Sequence, residues 1–168
     1  VIDMVKMVAL DESTTSTGVA YFVNDQLIKT TCLTADVNHA HKNGMSEVRV
    51  DIMGEKILNI LNECKPDIIV MEHPQGASHS LAVTWAIGEV AGIVKSWTIQ
   101  NDARYLIFNP SEWRRFCGFE QGRKKRNELK QMAMDYVKEK YNIECNSDVS
   151  DAVCIGDAYV KYMMEEKE

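Results

Sequence analysis

No stretch of this 168-residue chain approaches the roughly 20 uninterrupted apolar residues that a membrane span needs. The amino end, Val1 to Leu10, carries Asp3 and Lys6 inside its apolar run, which a secretory signal would not. Neither membrane insertion nor secretion is expected. The first residue is Val1 rather than Met, which reads as a trimmed or engineered start. Cys-x-x-Cys pairs are also missing: the five cysteines at 32, 64, 117, 145 and 154 show no zinc-site spacing, and their number is odd. Reduced thiols in a cytoplasmic compartment, mostly buried as small hydrophobes, are the expectation. An excess of positive charge is lacking as well. With 25 Asp and Glu against 19 Lys and Arg, the net charge of −6 argues against a protein that binds nucleic acid over its whole surface. No repeat, low-complexity tract or linker divides the chain. At 45% hydrophobic and 26% charged residues, it has the composition of one globular domain spanning 1–168.

The apolar run Val5 to Leu10, bounded by the polar cluster Asp11 to Thr17, predicts a buried strand. Gly18 to Val23 and Leu27 to Leu33 are rich in β-branched and aromatic residues and meet across Asn24-Asp25, which predicts a hairpin. Apolar residues at Met45, Val48, Ile52, Ile57, Leu61 and Cys64 then follow a helical period that Pro66 stops. Ile68 to Met71 reads as a strand covered on both faces. His79 to Trp97 reads as a largely buried helix whose Gly88 and Gly92 permit close packing, and Tyr105 to Phe108 as the next strand. Asn109-Pro110-Ser111 ends it and offers Ser111 as a helix N-cap. Two amphipathic helices follow, one marked by Leu129, Met132, Ala133, Tyr136 and Val137, the other by Val149, Ala152, Val153, Gly156, Val160 and Met163. The order βββαβαβαα predicts an α/β domain with a mixed sheet started by a β-hairpin and flanked by helices.

Asp11 and Glu72 each stand at the carboxyl end of a predicted strand, where open α/β sheets place their ligands. Asp11 alone is ordinary turn chemistry. Glu72 is less easily explained, because a carboxylate appended to Ile-Ile-Val-Met lies near buried surface and needs a partner or a metal. Asp148 and Asp151 share one face of the last helix; alone, they would serve its dipole or its cap. Together, the four acids fall at element ends that an α/β layout can converge. Clustered carboxylates repel unless neutralised, and a divalent cation is the simplest neutraliser. Two such ions about 4 Å apart are a common device for phosphodiester hydrolysis, one activating water and the other stabilising the leaving oxygen.

A phosphate substrate also suits the cations between Trp113 and Lys130. Arg114, Arg115, Arg123, Lys124, Lys125, Arg126 and Lys130 stand against Glu120 and Glu128, a local charge of +5 in an acidic chain. Trp113, Phe116 and Phe119 interleave with them and either stack on bases or pack the helix down.

In order and separation, three segments resemble the Holliday-junction resolvases of the RuvC type, in particular their bacteriophage branch, within the ribonuclease-H-like nucleases. They are VALDESTTSTGVA from Val8 to Ala20, KPDIIVME from Lys65 to Glu72, and NSDVSDAVC from Asn146 to Cys154. The resemblance implies a ribonuclease-H-like mixed sheet with helices on both faces, and Asp11, Glu72, Asp148 and Asp151 as metal-binding acids. Arg114 and one of Lys125 or Arg126 fall where that family places basic residues near the cleaved phosphate. It further implies a homodimer that nicks two symmetric strands of a four-way junction with Mg2+ or Mn2+, two ions per site, in the cytoplasm of a bacterial host if phage-encoded. Glu12-Ser13 stands where many cellular members have Pro-Gly, and His73-Pro74-Gln75 also departs from the cellular pattern. His73 is either a proton shuttle beside Glu72 or an exposed loop histidine; His39 and His41 are read as exposed.

Two rival readings remain at this level. The Asp11 to Thr17 turn also resembles the phosphate loop of sugar kinases and actin-like ATPases, although 168 residues supply only one of the two domains such proteins close around ATP. The other rival is a branched-DNA binding module without chemistry. The charge is polarised in either case: outside Trp113 to Lys130 the chain carries −11, and two divalent ions would bring the total to −2. DNA binding is therefore expected to be weak without divalent metal and sensitive to salt.

Overall fold

Asn24 and Asp25 both have positive φ, 47° and 64°, and close the hairpin between β2 (Ser16–Val23) and β3 (Gln26–Thr34). The structure, a computed structural model, describes residues 4–36, 45–74 and 80–166. Its other elements are β1 (Lys6–Asp11), α1 (Met45–Cys64), β4 (Ile68–Glu72), α2 (Leu81–Gln100), β5 (Arg104–Phe108), α3 (Pro110–Phe116), α4 (Arg126–Tyr141) and α5 (Ser147–Glu165). Among the described residues, five strands form one mixed sheet in the order β3-β2-β1-β4-β5. β1 pairs antiparallel with β2 and parallel with β4, and β5 is parallel to β4. The expected α/β architecture is present, with helices on both faces.

Strand alternation divides the core in two. Met7, Ala9, Ala20, Phe22, Ile68 and Val70 face α3, α4 and α5, packing on Trp113, Ala133, Val137 and Val153. Val8, Leu10, Val19, Ile69 and Met71 face α1 and α2, packing on Met53, Ile57, Leu61, Val90 and Val94. Asp157, 2% exposed, ties α5 to α4 by accepting hydrogen bonds from Tyr136 Oη (2.9 Å), Tyr141 Oη (2.5 Å) and Lys140 Nζ (2.8 Å). No helix among the described residues is long and apolar enough to cross a membrane.

Several expectations need correction. There is an additional helix, α3, whose seven residues bury only Trp113 and so leave no periodic trace. Asn109 rather than Ser111 is its N-cap, because Pro110 takes the first helical position and Glu112 Oε2 accepts the Asn109 N–H at 2.7 Å. α2 is not largely buried: Ala86, Val90, Val94, Trp97 and Thr98 face inward, whereas Gly88 and Gly92 are exposed, with open space where a Cβ would stand. Asp11 and Glu72 are the last residues of β1 and β4 rather than the residues after them. All five cysteines are free, but only Cys117 and Cys154 are buried, the other three being half-buried. His39, His41, Gln75 and His79 lie outside the described residues.

Candidate active site

Strand parity decides where the first two acids point. Met7 and Ala9 of β1, and Ile68 and Val70 of β4, face α5, so Asp11 and Glu72, two residues further on, fall on the same side. The parallel register pairs Leu10 with Met71, which sets Asp11 beside Glu72 one step beyond. α5 begins against this edge, its first turn supplying Asp148 and its second Asp151. All four acids line one cavity of about 710 Å3 at the carboxyl ends of β1 and β4.

The close approach of α5 depends on Gly18, the ladder partner of Asp11. A Cβ at Gly18 would collide with the backbone carbonyl of Asp148. Gly18→Ala is therefore expected to destabilise the fold by about 1–3 kcal/mol, the usual cost of overpacking, by pushing Asp148 and the start of α5 away from β2. Urea denaturation checks this effect. Unchanged stability would show that α5 does not need this contact.

The turn and cap duties open to Asp11 and Asp148 are performed by neighbours. The turn after β1 is held by Ser13, whose Oγ donates to Ser16 O at 2.8 Å and accepts from the N–H groups of Thr15 and Ser16. Thr17 Oγ1 accepts the Ser13 N–H at 3.1 Å. The cap of α5 is Asn146, whose Oδ1 accepts the Val149 N–H at 2.9 Å. Asp148 instead accepts hydrogen bonds from Ser16 Oγ (2.5 Å) and Ser147 Oγ (3.4 Å). Glu72 Oε2 accepts from Trp113 Nε1 at 2.6 Å. Among the described residues, no hydrogen bond from another residue reaches the carboxylates of Asp11 and Asp151.

The electrostatics match that geometry. Burial, then the charges of Asp151, Glu72, Glu12 and Asp148, pushes Asp11 well above the usual carboxylate range. Burial and the neighbouring Glu72 raise Asp151 to about 7, against the opposing pull of Arg114 and Lys130. Burial also raises Glu72, with the Trp113 hydrogen bond, Arg114 and Arg126 acting the other way. Glu12 is 8% exposed and lines the same cavity; burial pushes it well up, its own backbone N–H opposes this, and Glu72 adds to the rise. Mutual repulsion of this kind marks a place where positive charge is wanted. An all-oxygen carboxylate set suits a hard divalent cation, with Asp11, Glu72, Asp148 and Asp151 as the residues to hold it. As they stand, however, no three acids, histidines or cysteines among the described residues are grouped so that they could hold a metal ion.

Of the seven cations, Arg114, Arg126 and Lys130 line the cavity. Lys130 Nζ donates to Ser147 Oγ at 3.2 Å. Arg115 lies outside the cavity, with its guanidinium 4.4 Å from the Phe116 ring centroid. Arg123, Lys124 and Lys125 are exposed between α3 and α4. The aromatic residues pack rather than stand free: Trp113 is fully buried, and Phe116 and Phe119 pack against the same core. His73 is exposed on the cavity wall, its Nδ1 3.0 Å from Pro74 O. The residues that the sequence did not mark as site members include Ser16 and Ser147, donors to Asp148, and Trp113, the donor to Glu72. Ser16 belongs to a run of hydroxyls without distinguishing spacing, and Trp113 is 41 residues from its acceptor.

No protein-family model matches the sequence, and no curated protein matches it. Solved structures do. Thermus thermophilus RuvC has a TM-score of 0.70 at 13% identity, covering 96% of each chain. T. thermophilus RuvC in complex with a Holliday junction substrate has a TM-score of 0.69 at 14% identity, covering 95% of this chain and 96% of that one. The yeast mitochondrial Holliday junction resolvase has a TM-score of 0.63 at 10% identity, covering 96% of this chain and 80% of that one. At such identities the likeness is one of architecture, and over nearly its whole length this chain has the ribonuclease-H-like fold of the RuvC-type resolvases.

Proposed function

We propose that this protein is a divalent-cation-dependent endonuclease that resolves four-way junctions, and cuts other branched DNA, by paired phosphodiester hydrolysis. One observation carries the reading: four acids from β1, β4 and α5 share a cavity with Arg114, Arg126 and Lys130. Bound Mg2+ or Mn2+, two per site, would supply the charge stabilisation and water activation that phosphodiester cleavage demands. The chain's own part is to hold the carboxylates at the sheet edge and to set cations on the wall that meets the phosphate. Arg114, Arg126 and Lys130 serve the phosphate nearest the acids. Arg115, Arg123, Lys124 and Lys125, further out, serve the DNA arms.

A homodimer suits a junction with two equivalent strands. The exposed face of α2 supports one: Leu81, Trp85 and Ile99 are 83%, 69% and 72% exposed, and Gly88 and Gly92 lie between them at spacings of three, four and seven residues. That stripe is apolar where a lone surface helix would be polar.

The decisive experiment incubates labelled four-way, three-way and linear DNA with the protein and Mg2+ or Mn2+, and resolves products on denaturing gels. The expected result is paired, symmetric nicks in four-way junctions, weaker cutting of three-way DNA and none of linear duplex. The alternative, a branched-DNA binder without chemistry, is favoured by the open arrangement of the acids. It predicts shifted but uncut junctions in the same assay.

A further inference from the structure

We propose that Trp113 is a positioning residue for cation binding, its indole N–H holding Glu72 in place while its ring face carries Arg114. This rests on the cation-dependent reading of the site. Trp113 Nε1 donates to Glu72 Oε2 at 2.6 Å, a short bond to a carboxylate. The indole is fully buried and packs edge-on to Phe119, with ring centroids 6.1 Å apart and an interplanar angle of 75°. On its face stands the Arg114 guanidinium, 4.8 Å from the centroid.

Three features make this more than packing. First, the donor is neutral. An Arg or Lys at this place would cancel the charge of Glu72 and compete with a cation, whereas an indole fixes one oxygen and leaves the negative charge for the ion. Second, the support is rigid. α3 is closed at its amino end by Pro110 and the Asn109–Glu112 hydrogen bond, is held to β5 by Phe108 against Phe116, with ring centroids 5.7 Å apart, and to α5 by Cys117 Sγ, which donates to Cys154 O at 3.3 Å. Third, Arg114 lines the cavity and, among the described residues, its Nε is buried without a hydrogen-bond partner. One side chain thus sets the spacing between an acid of the cation site and a cation of the phosphate wall. α3 is the element that joins them.

The test uses the full chain without DNA. Trp113→Phe keeps a ring in the core and removes the N–H. Calorimetric titration with Mg2+ or Mn2+ is expected to show affinity weakened about 10–100-fold, as for other losses of a group that orients a metal ligand, with thermal stability in the absence of cation little changed. In parallel, the indole N–H resonance of wild-type Trp113 is expected to shift on adding Mg2+, while that of Trp97, which donates to Asn62 Oδ1 at 2.8 Å, stays in place. Glu72→Gln should abolish the Trp113 shift. Equal affinities for the wild type and Trp113→Phe would overturn the positioning role and leave the cation-dependent reading standing. Failure of the wild type to bind either ion would overturn that reading itself. Were Trp113→Phe not to fold, the wild-type resonance decides: a Trp113 signal indifferent to saturating Mg2+ sinks the proposal.

Discussion

Asp11→Asn is expected to lower junction cleavage by roughly 1,000-fold or more, beyond the about 10–100-fold that follows loss of a residue merely orienting a ligand, while leaving junction binding largely intact. The carboxamide keeps the shape of Asp11 and its place opposite Gly18 in the β1–β2 ladder, but removes the charge that a cation would meet. The same substitution is expected to raise stability in the absence of cation at pH 8. Asp11 is repelled by Asp151, Glu72, Glu12 and Asp148, and deleting one member of such a cluster relieves the others. Opposite signs for activity and stability are characteristic of a site whose strain serves function. Gel cleavage, gel shift and urea unfolding, run on one preparation, read all three quantities. Full cleavage by Asp11→Asn would sink the endonuclease assignment, and a loss of stability would show that Asp11 has a structural partner after all.

The second large effect concerns pH and cation together. Asp151 titrates at about 7 in the fold against an ordinary 3.8, and Asp11, Glu12 and Glu72 are raised as well. The folded chain therefore holds protons that the unfolded chain has already released. Stability is fully present below the ordinary carboxylate range and is lost as pH rises through about 7. For Asp151 alone the rise to about 7 corresponds to on the order of 4 kcal/mol. In EDTA, the urea midpoint is accordingly expected to fall between pH 5 and pH 8. Saturating Mg2+ at pH 8 should restore stability, by about 2.7 kcal/mol at a concentration 100 times its Kd. Asp11→Asn should show both a shallower pH slope and a smaller response to Mg2+. A midpoint that climbs with pH in EDTA would mean that the cluster is not a repulsive one.

Much of the architecture is legible from local pattern. The apolar runs at Val5 to Leu10 and Ile68 to Met71, the Asn24-Asp25 turn and the Pro66 stop each act over a few residues, where sterics and burial leave little choice. Elements whose identity depends on a distant surface are less legible. α3 forms because Trp113 has a core to enter and Asn109-Pro110 starts a helical turn, and neither cause produces a period. The composition of α2 reads as a largely buried helix, but its packing covers only one face.

The four acids divide along the same line. Their residue types, and their positions at element ends, are fixed by the chain order, and so is the clustering of cations after Trp113. Which way each acid points is decided by strand parity combined with the parallel β1–β4 register, a pairing between residues about 60 positions apart. The donors that hold the acids come from further away still: Ser16 reaches Asp148 across 132 residues, and Trp113 reaches Glu72 across 41. Local sequence shapes strands and helices because their hydrogen bonds close within a few residues or along one ladder. A site of converging charges exists only once the sheet has paired and α5 has docked over Gly18, because burial and proximity, the two causes of its chemistry, are properties of the assembled fold.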